Sequence, residues 1–315
     1  MPIIAMTSKM GSGGRDVAQR LAGRMGLKLV EHELIHHTLA EKLRVRESVV
    51  RHCLEGRATV LEKWQIGTKR LMRYFEAEIL DLALQRDVLF FGCGSCVVLR
   101  GMPHIPRVRV SAPMDIRERA VMQRLALGDR SAARQELERN DAAQKRTLRD
   151  AFGVDREDPA LFDLLLNTER NSAETCVQLV WDLTERPEFR ETELARAILE
   201  DKALEARIRL ELGERFTFGT GVSGIEASAR SGKVLLRGTA IHTTLAAEAG
   251  RIVTAIVGVN EVQNDIIVRR GRSGGIGGKR QRAASLMHFM SRARLSLRRV
   301  HLRGGPLAIG EGSVI

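Results

Sequence analysis

Aromatic residues are scarce in this chain of 315 residues, at 4% of the sequence, although apolar residues together make up 43%. That apolar share is ordinary for a globular protein, so the cores must be built mainly from aliphatic side chains. No apolar run approaches the roughly 18–20 residues that a membrane-spanning helix needs. The first residues lack a basic region followed by a long apolar stretch, so no secretory signal is expected. A cytoplasmic location is the default expectation, and the length is sufficient for two compact domains.

Cysteine is also rare, with four residues in the chain, and two of them stand three positions apart as Cys93 and Cys96. A C-x-x-C pair is typical of redox sites and of one half of a zinc site. No second pair of cysteines or histidines follows at metal-binding spacing. The pattern therefore favours small residues in a tight loop after a buried strand over redox or metal chemistry.

The net charge of +12 is concentrated near the C-terminal end of the sequence. From Arg269 onward there are eleven lysines and arginines and one acid, Glu311, which accounts for +10 of the total. Such Gly- and Arg-rich sequence cannot bury enough apolar surface to offset chain entropy, so residues 269–315 are predicted to be a basic, flexible tail. Apolar residues between 286 and 300 recur at helical spacing, as in basic helices that contact membrane surfaces or nucleic acid. The alternative is a segment that docks only on its own protein or stays loose.

Short apolar runs alternate with helical periodicity from residue 1 to about residue 185. This alternation predicts an α/β fold with a parallel sheet flanked by helices. The candidate strands are 2–7, 27–30, 87–92, 107–111 and 163–166. The candidate helices between them include 59–85, 115–126 and 131–151.

A boundary is predicted around Pro187, followed by a second, small α/β domain over residues 191–268. Its pattern is helix, strand, strand, helix, strand, with helices predicted at 194–212 and 243–257. The turn at 231–233 separates two alternating segments, 225–230 and 234–239.

A glycine-rich turn stands between the first predicted strand and a helix that begins near Arg15. Its residues are Gly11, Ser12, Gly13 and Gly14. Glycines let backbone N–H groups converge, and the free N–H groups at a helix N-terminus favour an anion. The turn therefore predicts a phosphate site, and the alternative is an ordinary strand-to-helix connection.

The turn matches the P-loop pattern G-x-x-x-x-G-K-[ST] only in part. Ser8 stands at the first glycine of that pattern, and Gly14 stands at the lysine, whose role is to place positive charge on the transferred phosphate. Arg15, one residue further on, is a candidate for that charge. Asp16 is a candidate for holding magnesium.

A competing motif lies at His32, Glu33 and His36, which fit H-E-x-x-H. On a helix, two histidines one turn apart can bind zinc with the glutamate as base. However, the motif directly follows a strand that fits the predicted sheet, and no third ligand stands at the usual spacing. A zinc protease is therefore kept as a minor alternative.

Five separated segments resemble, in order, the cytidylate kinase-like family, a branch of the P-loop nucleoside monophosphate kinases. They are residues 4–18, 27–35, 87–92, 110–117 and 158–168. The first contains Gly-Ser-Gly-Gly-Arg, the form of the loop that this family carries without a lysine. The resemblance covers about residues 1–185 and implies a P-loop kinase-like fold. It also implies ATP with magnesium as the phosphoryl donor, and CMP or a similar nucleotide as the acceptor.

The resemblance implies a set of donor-side residues on the phosphates of ATP: Ser8, Gly11, Ser12, Gly13, Gly14 and Arg15. Magnesium would lie near Asp16, and catalysis would consist mainly of positioning and charge neutralisation.

On the acceptor side, the resemblance implies that Glu31 and Arg117 contact the substrate. Residues 115–150 would form a helical lid that brings arginines over the phosphates on closure. The catalytic candidates are Arg15 and Asp16 with Arg124 and Arg146 of the lid. Arg119 and Arg149 are further lid candidates.

Two departures from the family pattern concern positive charge. Cys93 stands where the family usually carries an arginine between glycines, and the lid keeps Asp141 but has Ala142 and Gln144 where arginines are expected. Each lost cation near a polyanion could cost a few kcal/mol of transition-state stabilisation. The alternative function is therefore a catalytically weak or inactive nucleotide-sensing regulator.

Residues 191–268 resemble the BON domain, and the segments 232–238 and 257–268 carry the resemblance. It implies a small module that binds a membrane or a ligand and has no catalytic residues. We expect it to target or regulate the first domain, and the alternative is a module that only stabilises or dimerises the protein.

Overall fold

Five parallel strands form the central sheet, in the order β2-β3-β1-β4-β5. A computed structural model of the chain describes residues 2–216 and 222–269, apart from the side chains of Lys63 and Cys93. The strands are β1 (Ile3–Ser8), β2 (Lys28–Val30), β3 (Val88–Phe91), β4 (Arg107–Ser111) and β5 (Leu164–Asn167). Each lies within one or two residues of a predicted strand, and the predicted α/β fold with a parallel sheet is confirmed.

Helices connect these strands. They are α1 (Gly14–Met25), α2 (His32–Leu43), α3 (Glu47–Leu54), α4 (Val60–Ile66), α5 (Thr68–Leu84), α6 (Cys93–Val98), α7 (Met114–Leu125), α8 (Arg130–Phe152) and α9 (Ala173–Thr184). Helices α1 and α9 cover one face of the sheet and pack on Ile4 and Met6 of β1. Helices α2 and α5 cover the other face, where Ile3 and Ala5 point. Successive side chains of β1 thus point to opposite faces of the sheet and are buried on both, as expected of a central parallel strand.

Two local predictions were wrong. The single helix predicted over 59–85 is two helices, α4 and α5, because Gly67 between them has a φ of +75° that a helix cannot contain. The C-x-x-C segment is helix α6 and does not form the tight loop that its small residues suggested. Cys96 lies in the core beneath it.

The second sheet has three strands in the order β6-β7-β8. Helix α10 (Glu193–Arg215) precedes β6 (Val222–Arg230) and β7 (Lys233–Ala240), and α11 (Thr243–Thr254) precedes β8 (Glu261–Val268). β6 and β7 are antiparallel, whereas β7 and β8 are parallel. This is the predicted order of helix, strand, strand, helix, strand.

Helix α10 contributes to two hydrophobic cores. One face places Leu199, Ala203 and Ala206 in the core under α5. The other places Leu204, Ile208 and Leu212 in the core of the second sheet. Residues up to Val268 accordingly form one compact unit. The domain boundaries at 185 and 191 stay a prediction.

None of the helices in the described ranges is long and apolar enough to cross a bilayer. The predicted tail, 269–315, lies outside the described residues except for Arg269.

If α10 is part of the first core, Leu199→Ala should lower the free energy of unfolding by about 2–5 kcal/mol, because it opens a cavity at a fully buried site. Leu194→Ala on the same helix is the control, since Leu194 is 73% exposed, and should change stability by less than about 0.5 kcal/mol. Denaturant titration of the full chain measures both. Equal effects would show that α10 is not built into this core.

Candidate active site

The turn between β1 and α1 has a backbone that requires glycine. Gly11 and Gly13 have φ of +80° and +72°. A Cβ on Gly11 would lie 2.7 Å from the carbonyl oxygen of Arg117, and one on Gly14 would lie 2.3 Å from the Cβ of Ser8. Both approaches are too close for a side chain, so the glycines seen in the sequence are explained by geometry.

Side-chain hydroxyls hold the turn from inside. The buried Ser12 hydroxyl donates to the carbonyl of Lys9 at 2.7 Å, and the Thr168 hydroxyl donates to the carbonyl of Ser12 at 2.9 Å. In the described part of the chain, the backbone N–H groups from Gly14 to Asp16 have no protein acceptor. Free amides are normal in the first turn of a helix, where they bind anions.

The two charged side chains after the turn both have partners. Arg15 Nε donates to Glu31 at 2.6 Å, and its Nη2 donates to Glu33 at 3.2 Å. The hydrogen bond that Arg15 donates to Glu31 is the main cause of the raised pKa of Arg15. Asp16 pairs with Arg20 through one carboxylate oxygen at 2.9 Å. The structure thus brings Arg15 and Glu31 together, and both lie beside the turn.

Two buried arginines support the turn through its carbonyl oxygens. Arg117 donates from Nε to the carbonyl of Met10 at 2.7 Å and forms a two-fold pair with Asp141 at 2.8 and 3.0 Å. Arg156 donates to the carbonyl of Ser8 at 3.0 Å, and its Nη1 lies 3.6 Å from Asp141. Asp141 of α8 is thereby tied to both ends of the loop.

Arg117 was predicted to contact substrate, and the structure places it 2% exposed beneath the loop. Arg156, which is 1% exposed, was not predicted at all. Its neighbours Asp155, Glu157 and Asp158 make the segment look like a solvated loop, so the sequence contained no sign of burial.

Glu157 is the second carboxylate of this charged cluster, and it pairs with Arg109 and Lys9. Burial raises the pKa of its carboxyl, but hydrogen bonds from Arg109 and Lys9 more than offset that and lower the pKa to about 2. The distances are 2.8 Å from Arg109 and 3.1 Å from Lys9. The base of the loop thus holds four cations against two carboxylates, which leaves a positive excess under the site.

A cleft of about 410 Å³ opens at the end of β1. Its walls come from the end of β1 and Met10, from α2, from the end of α3 and the segment after it, from the end of β3, and from α7 and α8. The lining includes Ser8, Met10, His32, His36, Glu55, Arg57, Gly92, Arg124, Glu136, Asn140 and Gln144. The cleft adjoins the glycine turn at Met10, which directly precedes Gly11.

Of the predicted lid arginines, Arg124 lines this cleft. Arg146 lines a separate pocket of about 60 Å³ beside Thr68 and Met72. Arg119 pairs with Asp115 at 3.2 Å on the exposed side of α7, and Arg149 is exposed on α8. The structure therefore brings one of the four to the cleft.

One of the departures from the family pattern, Gln144, lies in the wall of the cleft. Gln144 lines the cleft together with Asn140, one turn earlier on α8. In the described structure, Gln144 Oε1 and Asn140 Oδ1 are buried oxygens without a hydrogen-bond partner. Two such acceptors suit a ligand with N–H donors. Cys93 is the first residue of α6.

His32 and His36 lie on α2, with ring centroids 5.9 Å apart, and both line the cleft. Glu33 points to Arg15 instead. Across the residues that the structure describes, no group of three metal-binding side chains is assembled. Burial lowers the pKa of both histidines, that of His36 to about 4, so these imidazoles are neutral hydrogen-bonding groups at pH 7.

An apolar pocket of about 50 Å³ continues from the cleft. His32, His36 and Gly92 belong to both. Its remaining wall is mostly carbon, including Met72, Phe75 and Ile79 of α5. A flat ring that enters the cleft would find polar atoms at its edge and an apolar surface beneath it.

The sequence model of the cytidylate kinase-like family matches residues 3–170, more than half of the chain. The protein belongs to the cytidylate kinase-like family. The model of the BON domain matches residues 200–270, so this family member carries a BON domain after its kinase-like part.

Relatives of this family member include three archaeal proteins named cytidylate kinase. That of Pyrobaculum aerophilum is 24% identical over 184 residues, 58% of this chain and 93% of the relative. The Methanopyrus kandleri protein is 26% identical, covering 53% of this chain and 85% of the relative. The Staphylothermus marinus protein is 27% identical, covering 59% and 98% respectively.

Solved structures similar to the kinase-like part are more distant. An uncharacterised protein from Eubacterium ventriosum aligns with a TM-score of 0.47 and 17% identity, over 59% of this chain and all of that one. Shikimate kinase from Acinetobacter baumannii, in complex with shikimate, aligns with a TM-score of 0.35 and 14% identity, over 58% and 92%.

Gly11→Ala should lower the stability of the chain by about 1–3 kcal/mol, because alanine is strained at a positive φ and its Cβ meets the Arg117 backbone. Gly23→Ala in α1 is the matched control. Nothing lies within 4 Å of its Cβ position, and alanine in a helix should stabilise by about 0.5–1 kcal/mol. Denaturant unfolding of both variants tests this, and a neutral Gly11→Ala would contradict the loop geometry.

The buried His36 predicts a pH dependence. Its native pKa of about 4 lies below the ordinary value of 6.5, so the unfolded chain binds a proton in this range that the native chain does not. Stability should therefore fall as the pH drops from 6.5 towards 4. His36→Gln should reduce the difference in Tm between pH 7 and pH 5. His37→Gln, on an exposed position of the same helix, should leave that difference as it is.

Proposed function

We propose that this protein binds ATP at the glycine turn and transfers its terminal phosphoryl group to a nucleoside monophosphate in the adjoining cleft. CMP is the first acceptor to test, because the archaeal relatives are named cytidylate kinase. The observation that carries the proposal is the set of unbonded amides from Gly14 to Asp16, in a turn that directly follows Ser8 and Met10 of the cleft wall.

On the donor side, these amides would take the phosphate oxygens of ATP, and the cations below the loop would favour its negative charge. The phosphates would compete with Glu31 and Glu33 for the Arg15 guanidinium, which would then lie beside the phosphates. Magnesium would neutralise phosphate charge, and Asp16 suits it because Arg20 engages only one of its two oxygens.

On the acceptor side, the apolar pocket would take one face of the nucleotide's base, and Asn140 and Gln144 of the adjoining cleft would accept its N–H donors. Arg124 would approach the acceptor phosphate from α7. Glu31 lines the apolar pocket and faces the same space. The role of Arg117 that fits its contacts best is to hold the loop.

A second candidate is a nucleotide-sensing regulator without turnover. The charge of Arg57 in the cleft is already matched by Glu136 at 3.3 Å and by Glu55 at 4.0 Å. Arg15 is likewise matched by two carboxylates. With Ala142 and Gln144 in place of the lid arginines, few cations are available for a transferred phosphate.

Three expectations stay predictions. They are a membrane or ligand contact of the BON domain, a membrane or nucleic-acid contact of the tail, and a cytoplasmic location. The tail falls outside the described residues.

A coupled assay for ADP, run with magnesium, ATP and a panel of nucleoside monophosphates, tests the proposal. We expect ADP production that depends on a pyrimidine monophosphate, and Arg124→Ala should reduce kcat by about 100–1,000-fold, the loss typical of removing one group that stabilises charge in the transition state. ATP binding seen as a rise in Tm, without acceptor-dependent ADP, would favour the regulator. If ATP does not raise the Tm, both are wrong.

A further inference from the structure

Helix α5 borders both the apolar pocket, which is the acceptor pocket of the proposed function, and α10, most of which lies in the BON domain. Met72, Phe75 and Ile79 recur at helical spacing and line the pocket. Arg70, Glu76 and Asp81 are charged positions of α5 that pair with α10, and by helical spacing Arg70 and Asp81 lie opposite the pocket-lining residues. Any shift of α10 relative to α5 therefore moves a wall of the pocket.

The contact between α5 and α10 is close and charged. The helices run antiparallel, and three ion pairs follow their length: Arg70 with Glu214, Glu76 with Arg209, and Asp81 with Arg207. Arg70 holds Glu214 through two bonds of 2.8 and 2.6 Å, and the other two pairs have hydrogen bonds of 2.7 and 2.8 Å.

Small residues of α10 allow this approach. Ala203 and Ala206 face the core shared with α5, and a Cβ on Gly213 would lie 2.3 Å from the Arg73 guanidinium. Arg73 also donates to the carbonyl of Gly213 at 3.2 Å. The ion pairs fix the register, because sliding α10 by one turn would separate all three.

We propose that the BON domain positions the acceptor pocket through the three ion pairs that join α10 to α5. Arg70 and Glu214, at the end nearest Met72, are the principal positioning residues. This inference rests on the proposed function for its kinetic readout. The BON domain would thus hold the pocket wall of the kinase-like part in position, in addition to binding any ligand of its own.

Charge exchange at this pair provides the test. Arg70→Glu and Glu214→Arg should each raise the KM for CMP by about five- to tenfold, the range expected for a broken half-buried pair. The KM for ATP should stay within about twofold, because the glycine turn lies on another part of the sheet. The double variant Arg70→Glu/Glu214→Arg restores opposite charges and should return the KM for CMP to within about twofold of the wild type.

Two further variants keep the test decisive. Glu214→Gln removes the charge with little change in shape, so it replaces the charge reversals if either of them fails to fold. It should also raise the KM for CMP. Lys233→Glu breaks an exposed pair with Glu261 in the second sheet and should leave both KM values unchanged. A role in stability alone would lower the Tm of the single variants without a selective change in the KM for CMP, and would overturn the proposal.

Hydrogen exchange separates this inference from the proposed function. Amides of residues 68–84 should exchange faster in each single variant and regain protection in the double variant, while those of α1 stay unchanged. If the wild type has no turnover, the proposed kinase function fails, and this exchange pattern still decides whether α10 positions the pocket wall. Unchanged exchange over 68–84 would overturn the inference, as would altered exchange with an unaltered KM for CMP.

Discussion

The close approach of two backbones, at Gly11 and Arg117, determines the geometry of the site. The carbonyl of Arg117 packs where a Cβ of residue 11 would stand, and the guanidinium of the same residue donates to the Met10 carbonyl. One residue thus fixes the loop by contact and by hydrogen bonding. Because the carbonyls of Ser8 and Met10 are turned towards buried arginines, the amides that follow are left for an external anion.

The same arrangement ties α8 to the loop. Asp141 of α8 neutralises Arg117 and lies near Arg156, so α8 is anchored at its middle to the cations that hold the loop. Removing either partner from a buried pair leaves an uncompensated charge, which costs more than the pair itself contributes. Asp141 is therefore needed by the structure even though Ala142 and Gln144 have replaced the residues expected beside it.

The sequence was sufficient to predict what depends on local periodicity and turn chemistry. Short apolar runs such as that of β1 predicted the parallel sheet, and the glycines predicted the turn. The break at Gly67 was missed because a single glycine within an apolar periodic stretch is compatible with a continuous helix, and only its φ decides. The buried positions of Arg117 and Arg156 depend on partners about 24 to 148 residues away, such as Asp141 and Ser8. No local pattern reports such contacts.

The dual role of α10 was hidden for a similar reason, since apolar residues on two of its faces look like one broad stripe until both cores are in place.

The balance of charge in the cleft bears on how a polyanion could react there. Glu55 and Glu136 lie beside Arg57, and Glu31 and Glu33 lie beside Arg15, so each of these arginines would have to leave a carboxylate to serve a phosphate. Arg124 is the cleft-lining arginine that has no ion pair within residues 2–216 and 222–269. It stands at the end of α7, before the residues that lead into α8. Under the proposed function, Arg124 is therefore the cation of the cleft wall that would meet an acceptor phosphate without first leaving a carboxylate.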